Sequence, residues 1–380
     1  MEPPASGADR TRRILGLLVW LAGMGIGGLL LLFFLLLPIL GSREPFSVLV
    51  SMVIGAMIAF PACFVYVWVP VIIDRYDPEP WWALAMAFLW GAVVACGFAG
   101  WINSIGSEVV SYTMGKTAAA IFGPVVSAPL VEEATKGIFV LGMLLFLRRE
   151  FDGVVDGVIY ATFSALGFAA MENVLYYGRA LQKGGMAALG ITLVLRGVLS
   201  PWIHPLFTAM TGIGVGIARE TNRTWLKVLA PVGGYAAAVC LHATWNGVST
   251  VSDMQNMPEL FLVSLLLWFI FLFGFGVIML LLVRREGRII RQYLQDEVLL
   301  GNLSREELEL VCSPFGRMKA MMGQGGRKAR QFVDAASRLG LSKWHAGRAM
   351  AGHKRTISMD FIVPLRQEMA RLRSEIQHRR

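Results

Sequence analysis

The chain has 380 residues, of which 56% are hydrophobic and 16% are charged, and its formal net charge is +9. A soluble domain of this length carries nearer a quarter charged residues, so the composition excludes an ordinary water-soluble protein. Most basic residues lie beside apolar stretches or after residue 283. This distribution indicates contact with anionic lipid at the basic flanks and no nucleic-acid partner.

Long apolar segments follow one another along the chain. A helix needs roughly 20 apolar residues to cross the hydrocarbon core of a membrane. The segments that meet this length are Ile14–Leu40, Phe46–Ile73, Trp82–Ser104, Ala119–Leu147, Gly157–Tyr177, Ala187–Ala218, Trp225–Asn246 and Leu260–Val283. The sixth contains Arg196, Pro201 and Pro205, so we expect an interfacial lead-in and then a span that begins between Thr192 and Trp202.

Basic residues flank these segments asymmetrically. One set of alternate flanks carries nine Arg or Lys residues before the tail is counted, and the opposite set carries four. The positive-inside rule therefore places both termini in the cytoplasm. The sequence predicts an all-α, polytopic transmembrane bundle of about eight spans in the cell membrane. Residues 1–13 would be a cytoplasmic N-terminal segment, residues 14–283 a membrane-embedded domain, and residues 284–380 a basic helical cytoplasmic tail.

The tail carries local signals of helical structure. Ser304 and Glu307 form a capping-box pattern, in which each side chain bonds to the backbone N–H of the other residue. A break is expected at Gly323–Gly326, and further helices through Ala329–Leu339 and Ser358–Ile376. Nothing in the tail resembles a catalytic motif.

The cysteines and three of the glycines predict close packing between helices, and neither set predicts a cofactor-binding site. The four cysteines lack C-x-x-C spacing, and we expect free, buried thiols: Cys63, Cys96, Cys240 and Cys312. Gly212, Gly214 and Gly216 follow no strand, so they predict close helix packing and not a dinucleotide site.

Ionisable residues inside the apolar segments form the most informative pattern. A charged side chain at the bilayer centre costs several kcal/mol on most scales, so such residues usually face the bundle interior and have a function. Three glutamates, two histidines, a lysine and two asparagines fall on four consecutive spans: Glu132, Glu133, Lys136, Glu172, Asn173, His204, His242 and Asn246. Each alone is compatible with a structural hydrogen bond or ion pair. Their occurrence together favours a buried reactive centre.

The spacings show which of these side chains share a helix face. Residues three or four positions apart are neighbours on a helix surface, so either Glu132 or Glu133 can pair with Lys136. The other glutamate then points toward a neighbouring helix. Each histidine likewise has a polar residue one turn later, Thr208 or Asn246.

At these residues the sequence resembles the PrsW family of intramembrane proteases, which is related to the CAAX-type and bacteriocin-processing proteases. The resemblance runs from about Asp74 to Gly247 and does not cover the tail. It rests on the order of five elements: Tyr76-Asp-Pro-Glu-Pro-Trp81, Glu132-Glu133-x-x-Lys136, Phe168-x-x-x-Glu172-Asn173, His204-Pro205 and His242-x-x-Trp245-Asn246. It implies a protease-like domain that cleaves a membrane-anchored protein; in some bacteria the family's substrate is an anti-sigma factor.

Peptide hydrolysis requires an activated water, a proton donor for the leaving amine and a stabilised oxyanion. In a metal-dependent version, His204, His242 and Glu172 would bind zinc, with Glu133 as general base. In a metal-free version, Glu133 or Glu172 would activate the water with help from His204, and His242 and Asn246 would donate to the oxyanion. The sequence has neither an H-E-x-x-H nor a G-x-S-x-G motif. The candidate catalytic residues are Glu132, Glu133, Glu172, His204, His242 and Asn246.

Two other classes of function fit parts of the pattern. In an ion- or proton-coupled transporter, the same groups would bind a cation or relay protons, and transport across liposomes would depend on Glu172 and His242. An inactive scaffold would act through its tail, and alanine at the polar positions would leave its function intact.

Overall fold

The computed structural model describes residues 7–313, 315–351 and 356–377. Within these residues every regular element is a helix, so the predicted all-α class is confirmed. Six stretches are long and apolar enough to cross a membrane, which confirms a polytopic helical membrane protein. The predictions for residues 1–6 and for residues 314, 352–355 and 378–380 of the tail lie outside the described residues.

The α-helices are, in chain order, α1 Gly7–Leu40, α2 Pro45–Tyr66, α3 Trp68–Ile73, α4 Trp81–Leu89, α5 Cys96–Met114, α6 Lys116–Phe122, α7 Ala128–Phe146, α8 Val154–Thr192, α9 Ile203–Glu220, α10 Leu226–Gln255, α11 Pro258–Leu299, α12 Arg305–Cys312, α13 Gly316–Met322, α14 Gly326–Ala351 and α15 Ile362–Gln377. Three π-helical segments lie between α-helices, at Trp90–Ala95, Gly123–Ser127 and Leu193–Leu199. Short 3₁₀ helices lie at Arg148–Glu150 and Ile357–Phe361.

The number of spans differs from the predicted eight. The six apolar stretches are Asp9–Leu40, Pro45–Ile73, Trp81–Met114, Val154–Glu220, Leu226–Gln255 and Pro258–Leu299. The predicted fifth and sixth spans fall within the single stretch of 67 residues that ends at Glu220. The predicted fourth span covers part of α6, the π-helical segment Gly123–Ser127 and α7; it is not among the six stretches, and α7 carries three charges, at Glu132, Glu133 and Lys136.

The predicted sixth span is interrupted, as its prolines indicated, but its helix starts slightly later than expected. Helix α8 contains two residues with non-helical backbone angles, Gly184 and Gly185, and Gly185 has a φ of +63° that favours glycine. After the π-helical segment and a turn at Ser200, α9 begins at Ile203, one residue beyond the predicted window. His204 therefore lies in the first turn of α9.

The chain forms two compact units, and the larger one contains residues 11–70 and 80–275. In this unit α8 and α9 approach so closely that a Cβ atom on Gly157 would lie 2.2 Å from the carbonyl oxygen of Gly212. A Cβ on Gly216 would lie 2.4 Å from the Cα of Val154. Gly214 makes a similar approach to Ala230, so the packing role predicted for these glycines is confirmed.

The smaller unit contains residues 71–79, the start of α1 and the chain from residue 276 onward. Its apolar core includes fully buried leucines from α11, α14 and α15: Leu294, Leu339 and Leu372. The capping box is present, because Glu307 N donates to Ser304 Oγ (3.1 Å) and Ser304 N donates to Glu307 Oε2 (2.7 Å). Helix α14 covers the predicted segment Ala329–Leu339, and the 3₁₀ helix Ile357–Phe361 together with α15 covers Ser358–Ile376.

All four cysteines are free, as predicted. Their burial was predicted only in part. Cys63 and Cys96 are buried, whereas Cys312 is half-buried and Cys240 is exposed on α10. An apolar segment is therefore not a sufficient sign of burial within the chain, because helix surfaces that face lipid are also apolar.

Candidate active site

Helix α7 places an ion pair at the centre of the larger unit. Glu133 and Lys136 are three residues apart, and Lys136 Nζ donates to Glu133 Oε1 at 2.5 Å. Both side chains are fully buried. The second oxygen of this carboxylate accepts a hydrogen bond from Thr208 Oγ1 at 2.7 Å, and Oε1 also lies 2.9 Å from His242 Nδ1. Glu133 is thus the glutamate that pairs with Lys136, and both of its oxygens have partners.

Glu132 lies on a different face of α7, about 100° around the helix from Glu133. Its carboxyl oxygen Oε2 is buried and has no hydrogen-bond partner among the described residues. His242 Nε2 lies 3.9 Å from this oxygen, too far for a hydrogen bond. A buried carboxylate oxygen without a partner is costly in a folded protein, so this atom is a candidate for contact with water, a metal ion or substrate.

The partners of the two histidines assign the proton on each ring. His204 Nε2 lies 2.9 Å from Glu172 Oε2, and His204 Nδ1 lies 3.2 Å from the Lys136 ammonium group. A carboxylate accepts and an ammonium group donates, so His204 is the neutral Nε2–H tautomer. His242 Nδ1 faces the carboxylate of Glu133, which leaves its Nε2 lone pair directed toward Glu132.

Glu172 is held by an arginine that the site prediction did not include. Arg196 Nη2 donates to Glu172 Oε2 at 2.5 Å, and Arg196 Nε donates to Asn173 Oδ1 at 2.7 Å. The sequence analysis treated Arg196 only as a charge that interrupts the sixth span. The rule that intramembrane charges usually have a function applies to this arginine as well and would have identified it.

Asn246 is placed near the cluster but bonds elsewhere. Its Nδ2 donates to the carbonyl oxygen of Pro124 at 2.8 Å. In the π-helical segment Gly123–Ser127 this carbonyl would accept from the residue five positions later, Pro129, which has no N–H. Asn246 therefore satisfies a backbone acceptor, and the structure gives it no contact with the Glu and His side chains described above.

A cleft of about 360 Å³ reaches two of the three glutamates. Glu132 and Glu172 line it, whereas Glu133 does not. Its other walls come from apolar residues of α1 and from small or polar residues of α5, including Phe34, Gly100 and Asn103. Glu132 is therefore a carboxylate with an unpartnered oxygen at a cleft large enough for a segment of substrate.

Glu132, His204 and His242 form a group that has the composition of a metal site. One ligand atom from each of these residues lies within 4.8 Å of the others, and all three residues are buried. Two imidazole nitrogens and a carboxylate oxygen are the ligand types of many catalytic zinc sites. The carboxylate in this group is that of Glu132, whereas Glu172 was the carboxylate ligand expected from the sequence.

The chain matches the family model described as "PrsW family intramembrane metalloprotease" over residues 79–281, slightly more than half its length. It is 30% identical over 164 residues to the Protease PrsW of Geobacillus kaustophilus, covering 42% of this chain and 66% of that relative. It is 26% identical to the Protease PrsW of Clostridioides difficile, covering 51% of this chain and 79% of that relative. It is 24% identical to the Protease PrsW of Bacillus subtilis, covering 54% of this chain and 84% of that relative.

No solved structure matches the chain. The family match begins at Glu79 and ends within α11, so it contains all the ionisable and amide side chains of the site described above but not the α1 residues of the cleft. It leaves the chain after residue 281 uncovered. The resemblance seen in the sequence is confirmed, and the chain belongs to the PrsW family of intramembrane metalloproteases.

Proposed function

We propose that this chain is an intramembrane endopeptidase that hydrolyses a peptide bond of a membrane-anchored protein. The observation that carries the proposal is the open carboxylate oxygen of Glu132, which lies beside His242 Nε2 at a cleft. Hydrolysis requires a group that accepts a proton from the attacking water and returns one to the leaving amine. In the metal-free version Glu132 is suited to this role because its Oε2 has no hydrogen-bond partner, and in the zinc version the same oxygen would be a ligand.

The other two glutamates orient the histidines. Glu133 accepts from His242 Nδ1 and Glu172 accepts from His204 Nε2, so each ring directs its second nitrogen toward the centre of the cluster. A histidine that binds a metal usually donates its other N–H to a carboxylate or carbonyl in this way. We therefore propose Glu132, His204 and His242 as the reactive groups and Glu133 and Glu172 as positioning residues.

We propose zinc as the metal. The unpartnered oxygen of Glu132 and the free Nε2 of His242 fit a zinc site, while His204 Nδ1 is engaged by the Lys136 ammonium group. Binding at that nitrogen would require Lys136 to withdraw from it. When bound, the ion would supply a Lewis acid for the scissile carbonyl. Without a metal, the same glutamate would accept the proton of the attacking water.

We propose the substrate class from the family and the membrane arrangement from the distribution of basic residues. An anti-sigma factor with a single membrane span is the proposed substrate, in regulated proteolysis of a signalling protein. Both termini would be cytoplasmic, with the membrane-embedded domain at residues 14–283, the tail at residues 284–380 and anionic lipid at the basic flanks.

The test is cleavage of a tagged, single-span anti-sigma factor that is co-reconstituted with the purified chain in liposomes. Wild-type protein should produce a shorter fragment, and Glu132→Gln should reduce the rate by about 10²–10⁴-fold, the range for loss of a general acid or base. The matched control is Glu108→Gln on α5, the same chemical change at an exposed position. Metal content is measured on the same samples by mass spectrometry.

Equal cleavage by wild type and Glu132→Gln would contradict the proposed role of Glu132. Cleavage that persists in metal-free protein would favour the metal-free version over zinc. If no fragment forms but ions cross the liposome membrane in a manner that depends on Glu172 and His242, the chain is a transporter and the proposal is wrong.

A further inference from the structure

Arg196 is fixed on three sides by neighbouring residues of α8. It donates to Glu172 and Asn173, as described above, and its guanidinium carbon lies 3.8 Å from the ring centroid of Tyr176. An arginine that donates through two of its nitrogens, Nε and Nη2, and stacks its planar face on a ring has little freedom to move. Its position relative to Glu172 is therefore well defined.

The backbone that carries Arg196 is also held in place. Arg196 lies in the π-helical segment Leu193–Leu199, and π-helical turns often occur at functional sites. At the end of this segment Ser200 N donates to the Leu195 carbonyl at 3.0 Å. The hydroxyl of Tyr66 on α2 donates to the carbonyl of Gly197, the residue after Arg196. The segment thus presents Arg196 to α8 in one orientation.

The oxygen that Arg196 contacts is the same oxygen that contacts the histidine. Glu172 Oε2 accepts from both Arg196 Nη2 and His204 Nε2. The Glu172 side chain is 20% exposed and lines the cleft, so without Arg196 it would be free to turn into the cleft. His204 would then lose the acceptor that keeps its proton on Nε2.

We propose that Arg196 is a positioning residue, which holds Glu172 against His204 and so directs the Nδ1 lone pair of His204 into the reactive centre. This inference rests on the proposed function, since it assigns a purpose to the orientation of His204. It does not depend on which substrate is cleaved. Arg196 does not line the cleft, and its hydrogen bonds go to Glu172 and Asn173, not to the three proposed reactive groups.

Charge alone and the proposed positioning role predict opposite effects of removing Arg196 on metal binding. Lys136 pairs with Glu133 and Arg196 with Glu172, and Arg179 lines the cleft beside Glu132 and Glu172. Removing Arg196 makes the site more negative and, by charge alone, would strengthen the binding of a divalent cation. If Arg196 acts by positioning, its removal weakens binding, because the loss of an outer partner of a metal ligand typically costs 10–100-fold in affinity.

The test is nitrogen NMR of metal-free, ¹⁵N-histidine-labelled protein in detergent, with the His204 signals assigned from His204→Ala. Wild type should show His204 as the Nε2–H tautomer. Arg196→Gln and Glu172→Gln should each give a mixture of tautomers, and the double variant should match Glu172→Gln alone, because the two residues act as one unit. The matched control is Arg43→Gln, at an exposed position between α1 and α2.

Zinc affinity is measured on the same variants, and Arg196→Gln should bind about 10-fold more weakly than wild type or more. Arg196→Lys keeps the charge but loses the two-donor geometry, so it should restore the wild-type tautomer only in part. An Arg196→Gln spectrum identical to wild type would overturn the proposal, as would further loss in the double variant. The NMR result requires neither zinc nor substrate, so failure of the proposed protease function would leave it interpretable.

Discussion

Each of the two compact units contains a fully buried glutamate with cationic partners, and the two differ in their surroundings. Glu133 in the larger unit bonds to Lys136, His242 and Thr208. Glu297 in the smaller unit accepts from Lys343 Nζ at 2.8 Å and from Arg366 Nη2 at 2.6 Å. Asn302 Nδ2 also donates to Glu297 Oε2, at 2.8 Å.

Both carboxylates are satisfied, so burial and ion pairing do not by themselves identify a catalytic residue. The difference lies in the neighbouring groups. Beside Glu133 lie a carboxylate oxygen of Glu132 without a partner, two histidines and a cleft. The partners of Glu297 are one arginine, one lysine and one asparagine, none of which transfers protons readily near neutral pH. The comparison supports the proposed reactive centre in the larger unit and a structural role for Glu297 in the smaller one.

The largest expected effect follows from Glu133→Gln. This change leaves the Lys136 ammonium group, whose side chain is 0% exposed, without its charged partner. Breaking a buried pair by removing one partner typically costs about 3–5 kcal/mol. We expect a large fall in the thermal midpoint in detergent together with loss of cleavage. Glu133→Asp is the control that keeps the charge, and an unchanged midpoint in Glu133→Gln would contradict the importance of the pair.

A smaller effect is expected from Glu297→Gln. Its partners Lys343 and Arg366 are 13% and 36% exposed, so both can recover some hydration when the carboxylate charge is removed. We expect a loss of about 1–3 kcal/mol in the stability of the smaller unit, the cost of a weakened hydrogen bond to a charged group. Limited proteolysis of the tail measures this loss. Cleavage of substrate by the larger unit should continue, and its disappearance would contradict the division of roles.

The smallest effect is expected from Arg366→Lys. The positive charge remains, but Arg366 donates to Glu297 through both Nε and Nη2, and lysine cannot reproduce this two-donor contact. Because Arg366 is partly exposed, we expect a loss of about 0.5–1 kcal/mol. Arg371→Lys, at a more exposed position of α15, is the control. A loss as large as that of Glu297→Gln would show that Arg366 alone stabilises the buried carboxylate.

Much of the site was predictable because helix spacing and hydropathy are local properties. The pairing of a glutamate with Lys136 and the common face of His204 and Thr208 follow from positions three or four apart. Both are observed. The interruption near Pro201 was likewise expected from its sequence, although the helix begins at Ile203.

What could not be predicted depends on how each helix is rotated about its axis. A π-helical turn inserts an extra residue and rotates everything that follows it by about 100°. Spacing counted across such a turn gives the wrong face. The π-helical segment before α7 leaves the carbonyl of Pro124 without a helical N–H partner, and Asn246 meets this carbonyl. The grouping of Glu132, and not Glu172, with both histidines likewise depends on helix rotation.

The glycine contact between α8 and α9 fixes the position of the wall of the cleft that carries Glu172. Gly157 and Gly212 bring the two backbones together without intervening side chains, so these helices have no flexible layer between them. Glu172 and His204 lie on this rigid pair. Helix α1, which carries Leu31 and Phe34 on the opposite wall, makes a backbone contact of the same kind, since a Cβ on Gly97 of α5 would lie 2.2 Å from the carbonyl oxygen of Gly27. We therefore expect a polypeptide segment that reaches the carboxylates to displace these two side chains and neither helix backbone.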